Sequence, residues 1–186
     1  MVCGRGKGVQ RFRDPTGVWE TIRWVSADNA YYPAMAADPT SGLLLLAKRE
    51  YDFLSGEESR SGGLVIYDYR LNQEKPLRLQ AGLPSNDLTA VAVAGRIAWV
   101  GGRGFVAVVD VQERKTLRFA YISTSVIRQI QLGQKYVWIA ISCDREGDPG
   151  FSGNAPSGVY RLDRAAIEPA VSTSSSPPTR SRARRS

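Results

Sequence analysis

Residues Leu83 to Lys115 read LPSNDLTAVAVAGRIAWVGGRGFVAVVDVQERK, and the order of runs and breaks within them decides the fold. Leu88, Ala90, Ala92 and Ala94 recur every second residue, with Val91 and Val93 on the other face, the period of two that a strand requires. Gly95-Arg96 breaks that run. Ile97 to Val100 is a second run, and Gly101, Gly102 and Gly104 form the next break, where positive backbone dihedrals are cheap. Phe105 to Val109 is a third run, closed by Asp110. Three strand-length runs joined by tight turns predict an antiparallel meander.

The pattern recurs to either side. Ile127, Ile130, Leu132, Tyr136 and Trp138 fall on Leu88, Val91, Val93, Ile97 and Trp99 at one constant offset of 39. Tyr32, Met35 and Ala37 precede Leu88, Val91 and Val93 by 56, and Asp68 precedes Asp110 by 42. The first residues, VCGRGKGVQRFR, resemble VGGRGFVAVVD, so the chain opens inside a unit, with Trp19 to Trp24 as that unit's last strand. Third strands begin at Gly63, Gly104 and Gly158. Two polar insertions, Glu50 to Gly62 and Cys143 to Ser157, join second to third strands at one location in their units, and insertions repeating at one location map to one face. A sustained 3.6-residue period is missing, and Asp163 to Glu168 is the nearest approach to a helix.

Units of about 40 residues with four short strands fit a β-propeller blade. The fold expected is all-β, a partial propeller arc of about three to four four-stranded antiparallel blades. The boundaries expected are a partial blade over 1–24, blades over 29–80 and 86–121, and a partial blade over 125–168. The residues GLPSN at 82–86, followed by strand, turn, aromatic-centred strand and Gly-led strand, resemble the two-component-regulator type of propeller repeat. The resemblance covers about residues 2–168 and implies a sensor-like ectodomain module, with an extracytoplasmic setting favoured on that ground alone. Quinoprotein-type propellers, whose strands also carry Trp and end in Gly-rich turns, are the second resemblance.

Composition narrows the chemistry. Histidine is absent, which removes Ser-His-Asp and Cys-His catalysis from this chain. Cys3 and Cys143 lack metal-like spacing. The net charge of +7 includes four arginines, Arg180, Arg182, Arg184 and Arg185, in a Ser/Pro/Arg tail over 169–186 that is expected to be disordered, so a nucleic-acid partner is not expected. No stretch has the apolar core of a signal peptide or reaches membrane-spanning length.

Trp99 and Trp138 share one position on the second strand and are expected to pack between blades. Gly4 to Gly8 and Gly101 to Gly104 are expected as turns, because neither has phosphate-loop spacing or a following helix. Asp144, Glu146 and Asp148 alternate as calcium ligands do, but Pro149 and Ala155 stand where an EF-hand needs glycine and a bidentate acid. Neither metal nor cofactor is expected, and no catalytic residue emerges.

The expected binding face gathers the connections between second and third strands, since alternating strand direction brings all of them to one side. It would carry Arg5 and Lys7, then Glu57 and Glu58, then Arg103, then Asp144, Arg145, Glu146 and Asp148. The function expected is a non-catalytic ligand- or protein-binding module, with a propeller enzyme of quinoprotein or sugar-active type as the alternative. The arc is expected to be a piece of a larger ring, with apolar open ends covered by further blades or by self-association.

Overall fold

The computed structural model describes residues 2–4, 8–13, 16–23, 30–50, 62–71, 73–77, 82–142 and 157–168. The 169–186 tail and most of both insertions lie outside the described residues. Among the described residues, twelve strands and one short helix follow in order: β1 (Val2–Gly4), β2 (Gly8–Arg13), β3 (Val18–Arg23), β4 (Ala30–Asp38), β5 (Leu43–Glu50), β6 (Gly63–Asp68), β7 (Gln73–Leu77), β8 (Leu88–Ala94), β9 (Ile97–Asp110), β10 (Lys115–Leu132), β11 (Tyr136–Ser142), β12 (Gly158–Asp163) and α1 (Arg164–Ile167). Every strand pairing is antiparallel. The ladders run β1-β2-β3, β4-β5-β6-β7 and β8-β9-β10-β11-β12.

The third ladder holds two units, because its two long strands do not run straight. A straight strand of 14 residues would part its ends by about 45 Å, yet the Val111 amide donates to the Arg96 carbonyl across 3.0 Å. β9 therefore doubles back near Gly102 to Phe105. Burial follows the same geometry: Ile97 and Trp99 share one apolar cluster with Val106 and Val108, whereas Ala98 and Val100 share another with Phe105, Ala107 and Val109. The expected glycine break is thus a hairpin turn. Gly104 sits there at φ 75°, where a side chain would be strained. A Cβ on Gly102 would clash with the Asp87 carbonyl oxygen.

β10 passes from one unit to the next. Its first part pairs with the returning arm of β9, from Lys115 opposite Asp110 to Tyr121 opposite Phe105, and its second part pairs with β11, from Val126 opposite Ser142 to Leu132 opposite Val137. The described residues thus form four packets of strands: β1 to β3, β4 to β7, β8 with β9 and the start of β10, and the rest of β10 with β11 and β12. β4 lies against β8, and β8 against β10.

The core lies between packets. Leu45, Leu64 and Ile66 of the β4 to β7 sheet meet Val100, Ala107 and Val109 of the next. Ala90, Trp99 and Val106 on that packet's far side meet Ile130, Val137 and Ile139. Alternate residues of one strand thus enter different interfaces, which is why these strands read as nearly unbroken apolar runs. Each buried Leu, Ile or Val contributes about 1.5–3 kcal/mol on transfer from water.

Candidate binding face

Strand alternation places the connections between β5 and β6, between the arms of β9, and between β11 and β12 at one end of their packets, and side chains tie these ends together. Arg49, next to the end of β5, pairs with the buried Asp87 just before β8; its Nη2 donates to Oδ2 across 2.8 Å, and its Nε also contacts the carboxylate. Asp87 is held in turn by its amide, which donates to Ser85 Oγ at 2.9 Å. The Asp87 carbonyl closes over Gly102 at the β9 turn. Arg103 is opposite Val126 in the ladder to β10 and is exposed. Thr89 Oγ1 donates to the Ile127 carbonyl at 2.6 Å, and Arg128 Nε donates to Ser142 Oγ at 2.6 Å at the end of β11. These polar contacts lie beside the strand ends that flank the two insertions.

Of the residues expected on this face, Arg103 is described and is exposed at the β9 turn. Arg5, Lys7, Glu57, Glu58, Asp144, Arg145, Glu146 and Asp148 lie outside the described residues. Gly63 and Gly158 begin β6 and β12, beside the two insertions. Trp99 is fully buried and donates from Nε1 to Glu168 Oε1 at 2.8 Å. Trp138 occupies the equivalent register but is 43% exposed, a correction to the packing expected of it: no described sheet lies on its far side. Arg161 stands over the Tyr136 ring at 4.5 Å and over Trp138 at 6.0 Å instead.

The opposite end of the packets is clamped by arginines that sequence reasoning did not single out. Arg70 Nη2 donates to the Pro39 and Thr40 carbonyls at 3.2 and 3.1 Å. Arg96 Nε donates to Asp110 Oδ2 at 2.6 Å, and its Nη2 to Glu113 Oε1 at 3.0 Å. Arg164 Nη1 donates to the Gly133 carbonyl at 2.8 Å and its other nitrogens to Glu168. Asp68 and Asp110 each accept two backbone amides of the turn that follows the third strand, at 2.9 to 3.0 Å, and Asp163 at the same position caps α1 by accepting the Ala165 amide at 3.0 Å. The Asp that recurs at the end of the third strand in the second, third and fourth packets was the available sequence signal. At Asp38 the Ser41 hydroxyl and the Thr40 amide hold the carboxyl below its ordinary range against the opposing effect of burial.

Among the described residues no three His, Cys, Asp or Glu side chains gather where a metal could sit. A cavity of about 110 Å³ lies between α1 and the outer part of the third packet, lined by Trp99, Val106, Val108, Arg118, Ala166 and Ile167. It is apolar and smaller than the roughly 300 Å³ at which small-molecule sites begin. No described helix is long and apolar enough to cross a membrane.

No protein-family model matches the chain, and no curated protein matches it. Solved structures do. The structure of U3-55K aligns at a TM-score of 0.55 and 12% identity, over 74% of this chain and 40% of that one. The WD40 repeats of RRP9 align with the same figures. The chain thus spans about 40% of the length of these relatives in fold. Identity this low speaks for architecture alone, and the architecture agrees with the sheets, their order and their face-to-face packing: the chain is a β-propeller repeat protein.

Proposed function

We propose that the chain is a non-catalytic, sensor-like binding scaffold that grips a protein or ligand with the connections between second and third strands. The observation that supports this reading is that Arg49, beside the β5–β6 connection, pairs with Asp87, whose carbonyl closes on Gly102 at the β9 turn next to the exposed Arg103. A scaffold held rigid by interlocked sheets leaves its loops free to vary and to bind. The WD40-type neighbours and the resemblance of GLPSN at 82–86 to the two-component-regulator type of repeat support a recognition role over a catalytic one.

The test is a displayed-peptide selection on the purified chain. Binders are expected whose affinity falls at least tenfold with Arg103→Glu and is unchanged by Gln112→Glu, an exposed position at the clamped end. Binders that ignore Arg103, or that respond only at the clamped end, would refute the assignment of this face.

A further inference from the structure

Two kinds of sheet face meet at the interfaces between the second, third and fourth packets, and among the described residues each kind is also found on the outside. Leu45 pairs with Ile66 and Ala47 with Leu64 in the β5–β6 ladder, and this face is buried by the following packet. The same register in the last packet pairs Trp138 with Arg161 and Ala140 with Val159. There Trp138 is 43% and Val159 69% exposed, whereas Leu45 and Leu64 are fully covered. At the other end of the chain, Phe12 pairs with Trp19 across β2 and β3, with ring centroids 5.2 Å apart. Arg13 opposite Val18 matches Asp68 opposite Gln73, which puts Phe12 at the position of Tyr67, on the side of a packet that faces its predecessor. Tyr67 is buried; Phe12 and Trp19 are 46% and 50% exposed.

We propose that a second copy of this chain covers both surfaces, the Trp138/Val159 face of one copy packing on the Phe12/Trp19 face of the other, and that two such contacts close a ring of two chains. The occupant is a second copy because, at the interfaces between the second and third and between the third and fourth packets, the surface that buries a Trp138-type face is a face of the Phe12 type, and the chain carries one of these open. Two chains supply eight packets, within the four to eight of closed propellers. A head-to-tail contact closes only when its rotation fits the count, and otherwise grows into open polymers. Arg161 over Tyr136 and Trp138 gives the surface the aromatic and arginine character enriched at protein interfaces. The loop end is not used, so this association is separate from the binding role proposed above.

Light scattering on the full chain at micromolar concentration is expected to give twice the 20.4 kDa chain mass. Trp138→Glu and Phe12→Glu are each expected to give monomers with an unchanged β-type circular dichroism spectrum. Mixing these two variants is expected to restore the dimer, because one sound Phe12 face then meets one sound Trp138 face. A monomeric wild-type chain overturns the proposal, and so do polymers that lengthen with concentration. Two folded variants that fail to recombine also overturn it, since that outcome means like faces pair with like. Should Trp138→Glu not fold, Arg161→Glu alters the same exposed face and is read in the same way.

Discussion

Trp99 and Trp138 have the same residue type and register and different surroundings, so they separate what a side chain brings from what its neighbours supply. Trp99→Ala would open a cavity in the packing between the third and fourth packets and is expected to destabilise by about 3–5 kcal/mol. Trp99→Phe keeps most of the burial and loses the bond to Glu168, for about 1 kcal/mol. Denaturant titration distinguishes the two. A second residue-scale expectation concerns Asp38, whose folded carboxyl titrates below the ordinary 3.8. Its contribution is therefore present above that value and is lost as pH falls through the lower folded one. Ser41→Ala should move the Asp38 titration upward when followed by carboxyl NMR; an unmoved titration would show that the hydroxyl has no part in it. Trp99 could be placed from sequence because the offset of 39 fixes its strand position. The exposure of Trp138 could not, because burial depends on what packs across the sheet.

Between elements, the Arg49–Asp87 contact joins the end of one sheet to the start of the next across 38 residues. Arg49→Met leaves a buried carboxylate without its partner. Because Arg49 is partly exposed, the loss is expected at about 1–3 kcal/mol rather than the larger figure for a fully buried pair. Adding Asp87→Asn should recover part of it, and a double-mutant cycle that gives no coupling would remove the pair from the account. Neither residue stands out in the sequence, since a single Arg and a single Asp carry no period. The strands were legible for the opposite reason: apolar alternation and glycine breaks act within a few residues, and three glycines were enough to announce the β9 hairpin. Its register was not, because that depends on how Val111 returns to Arg96.

At the scale of the whole molecule, far-ultraviolet circular dichroism should be β-dominated; helix above about a third, the globular norm, would contradict the architecture. If two copies close one ring, the melting temperature should rise with protein concentration, since association stabilises by mass action; a melting point independent of dilution speaks for a lone chain. The arginine clamps and the Asp caps fix one end of the second, third and fourth packets, while the opposite end accepts insertions between paired strands. Its strand ends are already held by their ladders, so a longer connection there adds only chain-closure entropy, about 0.6 kcal/mol for each doubling of length. That asymmetry makes the second-to-third-strand connections natural grafting points: a foreign peptide set between Glu50 and Gly62 should be displayed without loss of the fold, whereas the same peptide set into the Asp38 to Leu43 turn would have to displace the Arg70 clamp first.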